Sequence, residues 1–407
     1  MSSYSRRIGI VGAGPAGMMA ALEAARRGTE VLLFDTNPMV GRKLLVTGAG
    51  RCNISNRHVA AGAYTCADAA FLEAAFDLWG HERTMDRLEE LGIPTYATHD
   101  GWCYPLSDSA ATVAATFAAM LDLAGVEVHL KTKISDVRPA AGCLILEVGG
   151  PSHTLTVDRV VVAAGGKAYP ALGSRGDFFP VLEGLGHRVL PVRPALAPVV
   201  ADVRRLHELQ GVRLDVGLTL LQGNEVLGRT AGNMMFTDYG LSGPAPMDLS
   251  HLISTRPHAN LTLSIDLLHY TRDALLPLIT RFRTDSVPLR VILGAVLPVK
   301  IPPALLRMAG LFDDVTMDAL GEGDLEDVLE LAGHLAVTVR GTRGFEVCQL
   351  STGGVPVTEV EPTTMASQVV PHLYLAGEVL DVVGPCGGYN LQFAFTSGAL
   401  AGAGAAG

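Results

Sequence analysis

Ile8-Gly9-Ile10-Val11-Gly12-Ala13-Gly14-Pro15-Ala16-Gly17 joins a short apolar run to a Gly-x-Gly-x-x-Gly turn. Met18 to Arg27 follows as a helix closed by Gly28, and Glu30 to Phe34 is a second apolar run. Strand, glycine turn, helix and strand within about 30 residues form the βαβ unit that holds dinucleotides. Gly12 permits the tight turn, Gly14 lets a pyrophosphate reach the backbone, and Gly17 lets the helix pack closely on the strand. Pro15 and Ala16 open the helix, whose unpaired N–H groups offer partial positive charge to phosphates. Asp35 stands just past the second strand, next to Thr36, where a carboxylate accepts hydrogen bonds from a ribose diol. A glycine-rich turn in an ordinary α/β protein gives no account of that acid.

Outward from this unit, Leu72, Phe76, Trp79, Met85, Leu88 and Leu91 recur at near-helical spacing over Phe71 to Leu91, and Thr112 to Leu123 is a second helical stretch. Val126 to Val137, Cys143 to Val148 and Thr154 to Val157 read as strands of a meander. Arg159 to Ala164 returns as an apolar run ending in Ala164-Gly165-Gly166. All of these are expected to continue the same nucleotide sheet. After Pro191 the texture changes, and Pro194 and Pro198 mark a boundary. Val212 to Leu221 and Leu261 to Ile265 alternate as in an antiparallel sheet or small barrel. Asp273 to Phe282, Leu289 to Leu297, Pro303 to Ala309 and Asp324 to His334 read as short helices, and Ala336 to Val347 as a strand. Glycine chemistry then returns: Leu373 to Ala376 is a strand before Gly377-Glu378, and Gly387-Gly388-Tyr389-Asn390 opens a helix through Ala401. A nucleotide site completed from the far end of the chain implies a discontinuous first domain.

Composition bounds the function. With 48% hydrophobic and 18% charged residues, the chain cannot be disordered or a coiled coil. The formal charge of −10 and the lack of any lysine or arginine run argue against nucleic acid as a partner. No apolar stretch reaches the ~18 residues of a membrane span. Met1 to Arg7 is too short for a secretory signal, so a cytoplasmic location is expected. Six cysteines without a CxxC, and twelve histidines without an HExxH, suggest neither a disulfide framework nor a metal site.

With these residues in hand, the sequence resembles the BaiN-like family of FAD-dependent oxidoreductases, which includes aminoacetone-oxidase-like proteins. The resemblance runs through Gly41-Arg42-Lys43-Leu44-Leu45-Val46-Thr47-Gly48-Ala49-Gly50-Arg51-Cys52-Asn53, Phe236-Thr237 with Gly240-Leu241-Ser242-Gly243-Pro244-Ala245, Ala376-Gly377-Glu378-Val379-Leu380-Asp381, and Gly387-Gly388-Tyr389-Asn390-Leu391-Gln392. It implies an α/β fold: a Rossmann-like FAD-binding domain over 1–194 and 351–407, a β-barrel-like insert over 195–270 and 334–350, and a helical module over 271–333.

The resemblance also implies roles. Asp35 would bind the adenosine ribose, and Lys133 and Ile134 would offer backbone atoms to the adenine. Arg42 and Lys43 would lie near the pyrophosphate, where positive charge offsets phosphate charge. Thr47, Gly48, Gly50, Arg51, Cys52 and Asn53 would wrap the flavin side. Ala164, Gly165, Gly166, Gly377, Glu378 and Asp381 would line the cofactor, with Glu378 holding ribitol or phosphate oxygens. The helix opened by Gly387, Gly388, Asn390, Leu391 and Gln392 would aim its N-terminus at the flavin pyrimidine edge, raising electron affinity.

The chain departs from the family pattern where Gly101-Trp102-Cys103-Tyr104-Pro105 replaces Gly-Arg-x-Phe-Pro. Asp238 also stands where a histidine is usual, and Cys386 where a threonine is common. No arginine or histidine role is carried over to those positions. Arg51 and Tyr389 are the candidate catalytic residues, the competing reading being that they only hold neighbouring groups in place. Cys52 and Cys386 are expected to fill space beside the flavin. A second strand-glycine-helix unit for a nicotinamide is absent, so NAD(P)H would bind transiently. The expected activity is NAD(P)H-linked reduction of a small or steroid-like molecule. Its alternatives are a peroxide-producing amine or aminoketone oxidase and a flavin-binding redox sensor, and the first motif alone would also suit NAD or S-adenosylmethionine.

Overall fold

A computed structural model of the chain describes residues 6–407. The opening motif folds as strand Arg7–Val11, helix Pro15–Ala25 and strand Glu30–Phe34. Pro15 takes the first helical position, where a missing N–H leaves nothing unpaired. Five parallel strands form the central sheet in the order Leu373–Leu375, Arg159–Val162, Arg7–Val11, Glu30–Phe34, Glu127–His129. Their apolar runs, such as Ile8 with Ile10, Val31 with Leu33 and Val160 with Val162, are buried. A parallel sheet covered on both faces demands such continuous apolar strands. The chain builds outward on one side of Arg7–Val11 and then crosses back to place Arg159–Val162 on the other. That reversal is a topological switch point, and ligands of open α/β sheets bind outside the strand ends there.

Two expected segments divide. Phe71 to Leu91 breaks at Trp79-Gly80 into helices Ala69–Leu78 and His81–Glu90, the first capped by the Asp68 carboxylate. A Cβ on Gly80 would lie 2.8 Å from the Phe76 carbonyl, so the second helix starts where only a glycine fits. Val126 to Val137 splits into Glu127–His129 in the main sheet and Ile134–Ala140 outside it. Ile134–Ala140, Cys143–Val148 and Thr154–Val157 form their own antiparallel sheet instead of continuing the parallel one. Tight hairpins give antiparallel neighbours, whereas a parallel strand needs a long crossover. Only Arg159–Val162 rejoins the central sheet.

The chain divides into two compact units, one formed by the residues up to Arg193 together with Gln349–Gly407, the other by Pro194–Cys348. The second unit contains a closed barrel of six strands, Val199–Ala201, Gly240–Ser242, Glu225–Phe236, Arg213–Gln222, Leu261–Asp266 and Leu335–Thr342 in that order around it. Leu335, Val337 and Val339 alternate inward with exposed Ala336, Thr338 and Arg340, the period-two signature of a half-buried strand. The last strand ends at Thr342, short of the expected Val347. Helices Arg272–Phe282, Leu289–Gly294, Ile301–Met308 and Glu322–Gly333 lie in the chain between barrel strands Leu261–Asp266 and Leu335–Thr342. They share one apolar core with the barrel, Leu275, Ile292, Leu305 and Val328 clustering with Leu218, Phe236 and Ile265.

In the first unit the C-terminal helix Tyr389–Ala406 packs on Pro15–Ala25 through small residues. A Cβ on Gly398 would lie 2.2 Å from the Ala16 carbonyl oxygen, and one on Gly402 would lie 2.2 Å from that of Ala20. Both pairs share one offset along the chain, so the helices run parallel. At 1.5 Å per residue, that offset carries the start of the C-terminal helix about 12 Å beyond the start of the first.

Candidate active site

The first helix meets the switch point through its glycines. Gly12 has φ +102, and a Cβ there would sit 2.3 Å from the Ala163 carbonyl oxygen. A Cβ on Gly17 would sit 1.8 Å from the Gly12 carbonyl oxygen, so glycine alone permits this crossing. Gly14, the helix cap, is different: nothing lies within 4 Å of its Cβ position. Open space beside the first unpaired N–H groups of a helix is the setting in which an anion binds.

Asp35 lies at the end of its strand with both carboxylate oxygens engaged. One accepts from the Ala13 N–H at 2.7 Å, and the other from the backbone and side-chain N–H groups of Asn37 at 2.7 and 2.9 Å. The acid therefore ties the glycine turn to the following loop, and its remaining lone pairs are what a ribose could use. Thr36 is exposed beside it. Asn37, which sequence reasoning missed, also accepts from Arg42 at 2.8 Å. Its position two residues after an aspartate was the available signal, that of a local side-chain turn. Lys133 is exposed, its carbonyl accepts from Gly149 at 2.7 Å and Ile134 is buried. The Thr132 N–H donates to the Asp35 carbonyl at 2.8 Å, which brings that segment beside the acid.

Lys43 and Glu378, 335 positions apart in sequence, meet at 2.7 Å with side chains 23% and 13% exposed, low enough to make the pair a fixed feature. The other Glu378 oxygen accepts from the Ser351 N–H and hydroxyl, each at 2.9 Å, and Ser351 Oγ accepts from the Lys167 N–H. Gly166 is pressed against this group, since a Cβ there would lie 2.1 Å from Ser351 Oγ. Gly165 (φ +74) and half-buried Ala164 complete the turn after Arg159–Val162. Gly377 (φ +76) donates to Ser397 Oγ and lies against Ala16. Asp381 turns instead toward its own neighbourhood, accepting from Thr352 Oγ1 at 3.1 Å and the Gly353 N–H at 2.6 Å. Ser351 gave no sequence signal, because its partner lies in another motif.

The segment after Lys43 is wound tightly. Thr47 is extended, Gly48 and Ala49 are left-handed, and Gly50 (φ +87) and Cys52 (φ +64) follow with positive φ. Ala49 and Cys52 carry a Cβ in that region, a strain that surrounding structure must hold. The Cys52 thiol is fully buried, and burial pushes its pKa up to about 11, opposed by a hydrogen bond to Thr47. It is therefore a neutral filler at physiological pH, with no thiolate character. With its amide nitrogen turned toward them, Asn53 donates to the carbonyls of Cys103 and Ser55, each at 3.1 Å. Arg51 is exposed. Its guanidinium donates to Asp108 at 2.9 and 3.0 Å and to the Tyr96 hydroxyl at 2.6 Å, and stacks 4.2 Å from the Tyr104 ring centroid. Asp108, chiefly through the Tyr96 hydroxyl and Arg51, is held below the usual carboxylate range.

The C-terminal helix closes the site from the other side. Gly388 (φ +97) caps it, and a Cβ there would meet the Ser55 carbonyl oxygen at 2.2 Å. Asn56 donates to the Gly387 carbonyl at 3.0 Å, and Trp102 covers Gly387, its indole 3.0 Å from where a Cβ would stand. Asn390 clips the preceding loop by accepting from the Gly384 N–H and donating to the Gly384 carbonyl, both at 2.8 Å. The Tyr389 ring lies edge-on to Tyr64 at 5.8 Å, and its carbonyl accepts from the Tyr64 hydroxyl at 2.8 Å. Leu391 packs on the core. Gln392 does not turn toward the site: it is fully buried among Ser55, Thr84 and Thr396. Among the described residues, no three His, Cys, Asp or Glu side chains come together as a metal-ligand set, and no helix is long and apolar enough to cross a membrane.

Two parallel helix N-termini, staggered by about 12 Å, thus face one side of the strand ends. The Lys43–Glu378 pair belongs to the same unit, and the wound 47–53 segment abuts the second helix. Such a site can hold an elongated, partly anionic molecule at both ends.

Comparison with known proteins accords with this geometry. Residues 6–404 match the family model described as the HI0933-like protein Rossmann domain. The chain is 32% identical, over 98% of its length and 99% of the relative's, to a 3-dehydro-bile acid delta(4,6)-reductase of Clostridium scindens. It is 30% identical, over 95% of each chain, to the ribosomal RNA dihydrouridine synthase of Escherichia coli. Among solved structures, 3-ketosteroid delta1-dehydrogenase from Sterolibacterium denitrificans superposes with a TM-score of 0.50 at 14% identity, covering 99% of this chain and 100% of that one, a likeness of fold.

Proposed function

The chain belongs to the HI0933-like family and is an FAD-dependent oxidoreductase, and from that premise we propose that it is an NAD(P)H-linked reductase of a carbon–carbon double bond conjugated to a carbonyl in a small, steroid-like molecule. The observation that carries this reading is the full-length similarity to a reductase named for such a substrate. The dihydrouridine synthase relative is likewise named for a product in which a double bond has been reduced.

The residues present fit FAD. Gly14 leaves its cradle open at a helix N-terminus, where the N–H groups of Ala16 and Gly17 suit a pyrophosphate. Asp35 suits the adenosine ribose, Arg42 and Lys43 add positive charge, and Glu378 accepts hydroxyl hydrogen bonds while held by Ser351. The start of the C-terminal helix, with Gly387 and Gly388, suits the electron-rich edge of the flavin. When bound, flavin supplies reversible hydride chemistry, while the protein contributes position and electrostatics. The wound segment from Gly48 to Asn53 would cover one side of the bound group. Arg51, which is exposed, would orient a substrate carbonyl by donating a hydrogen bond, and half-buried Tyr389 would do so by giving up the long contact of its hydroxyl with the His58 carbonyl at 3.5 Å.

A second reading, in which the reduced base belongs to RNA, is favoured by the dihydrouridine synthase relatives. Against it stand the net charge of −10 and arginines engaged by carboxylates, as in Arg27–Glu23, Arg204–Asp202 and Arg307–Glu208. The test is anaerobic. NADH or NADPH should bleach the bound flavin, and a 3-oxo-4-ene steroid should restore its colour while gaining a pair of hydrogens by mass spectrometry. Bleaching by an amine and by neither nicotinamide would overturn the reductase reading. Colour restored by ribosomal RNA and not by the steroid would replace its substrate.

A further inference from the structure

Gln392 lies in the first turn of the C-terminal helix, yet its side chain is fully buried. Its amide nitrogen is 2.7 Å from Thr84 Oγ1 and 3.0 Å from Thr396 Oγ1, and its oxygen is 2.6 Å from Ser55 Oγ. Ser55 Oγ is also 2.8 Å from His81 Nδ1. Proton positions follow from the assignment that leaves no group unpaired. The Thr84 hydroxyl donates to the Gly80 carbonyl at 3.0 Å, and the Thr396 hydroxyl to the Trp79 carbonyl at 2.7 Å. Both can therefore only accept from Gln392, which turns the amide nitrogen toward them and its oxygen toward Ser55. Ser55 spends its proton on that oxygen, so His81 must be the donor at Nδ1. A directed chain results, His81 to Ser55 to Gln392 to the two threonines, ending on the carbonyls at the break between helices Ala69–Leu78 and His81–Glu90.

This chain joins the two walls of the site. Ser55 stands two residues after Asn53, in the short strand Ser55–Asn56 that leaves the wound segment, and its carbonyl is the atom against which Gly388 is pressed. Its neighbour Asn56 holds the Gly387 carbonyl from the other face of the same strand. A change of helix tilt would break the buried hydrogen bonds of Gln392, and an unsatisfied buried polar group is costly.

We propose that Gln392 is a positioning residue: through Ser55 it fixes how the N-terminus of the C-terminal helix approaches the Asn53–Ser55 wall, and so sets the electron affinity of the flavin held there. This rests on the FAD reading of the site given above. The positive end of a helix favours the charge that flavin gains on reduction, and the effect falls off within one turn, so a small retreat matters. The chain does not depend on His81 charging, because Nδ1 carries a proton in the neutral and the cationic ring alike.

The test uses the full-length holoprotein. Gln392→Leu removes the amide while keeping an apolar core residue, and Ser55→Ala removes the link to the wall. Flavin midpoint potential and FAD dissociation constant are measured beside thermal unfolding. Both variants should lower the potential, by about 30 mV for a tenfold loss of preference for reduced over oxidised flavin. They should also weaken FAD by on the order of tenfold, the scale of one broken buried hydrogen-bond set. Ser55→Thr should restore both values. Potentials unchanged in variants that bind FAD, whatever their melting temperature, would overturn the proposal. If Gln392→Leu does not fold, Ser55→Ala decides by the same criterion. A wild-type protein that takes up no FAD would instead overturn the reading of the site.

Discussion

The two helices that bring their N-termini to the site are assembled from different information. The first, Pro15–Ala25, is placed by residues of its own neighbourhood: Gly12 hydrogen-bonds the Phe34 carbonyl, and Ala13 donates to Asp35. The second, Tyr389–Ala406, is placed by residues more than 300 positions away, Ser55 and Thr84 on Gln392 and the Ala16 backbone against Gly398. Both helix starts are therefore legible, one in Gly12 to Gly17 and the other in Gly387-Gly388-Tyr389-Asn390, but the contacts that place the helix are legible only in the first case. A local device must be written as a motif, whereas a remote one needs only complementary surfaces.

Two glycines that look unequal in sequence are equally constrained in space. Gly17 belongs to the motif and Gly398 does not, yet both Cβ positions fall on a backbone oxygen, at 1.8 and 2.2 Å. Gly17→Val and Gly398→Val should therefore both lose soluble, folded protein, since backbone cannot yield as a side chain can and even mild overpacking costs about 1–3 kcal/mol. Expression yield and thermal melting measure this. A tolerated Gly398→Val would mean that the second helix is less tightly specified than the first.

Much of the first unit could be read because its signals are local: the apolar strands, Gly12, Gly14 and Gly17, and Asp35 all lie within one βαβ unit. Alternation in Val212 to Leu221 and Leu261 to Ile265 suits an antiparallel sheet or a small barrel alike, and closure of the six strands is visible only in their pairing. What could not be read is what depends on chain crossings. The antiparallel sheet of Ile134–Ala140, Cys143–Val148 and Thr154–Val157 has the same apolar texture as a sheet continuation, and only pairing separates them. The break at Gly80 was masked because helical spacing runs through it. At the site, sequence gives Glu378 and Lys43 as residue types but not their pairing or the clamp from Ser351. Gln392 shows the same limit: its place in a motif suggests a ligand contact, and only the structure places its amide against Thr84 and Thr396.

Glu378→Ala leaves the Ser351 N–H and the Lys43 ammonium without their acceptor, and should cost about 2 kcal/mol, a partly exposed site losing less than a fully buried pair. A double-mutant cycle with Lys43→Ala by urea unfolding isolates the pair, and additive losses would show that the two ends of the chain are not coupled there. Gly14→Ala should behave oppositely to Gly17→Val. Its Cβ meets no protein atom within 4 Å, and its φ of −77 suits alanine. Melting of the FAD-free protein should be unchanged, while FAD affinity falls by on the order of tenfold, the scale of one misplaced methyl group in a packed site. Unaltered FAD binding, by equilibrium titration, would show that no phosphate approaches Gly14.

The smallest effect concerns the wall that meets the second helix. Cys52 is buried and its thiol is raised to about 11 from an ordinary value of 9.0, mainly because burial penalises the thiolate. The sign follows from proton counting. Between those values the unfolded thiol has lost its proton while the folded one keeps it, so stability is complete below pH 9 and falls as pH rises toward 11. By pH 10 the loss attributable to this one group is on the order of 1 kcal/mol. Other groups titrate in the same range, so the reading is a difference: Cys52→Ala should lack that part of the alkaline decline in urea unfolding. The thiol should also resist alkylation at pH 8 in the native state and react once unfolded. Parallel alkaline curves for the two proteins, or rapid native alkylation, would mean that the wound segment opens readily. In that case the wall at Asn53 and Ser55 would not be firm enough to set the approach of the C-terminal helix.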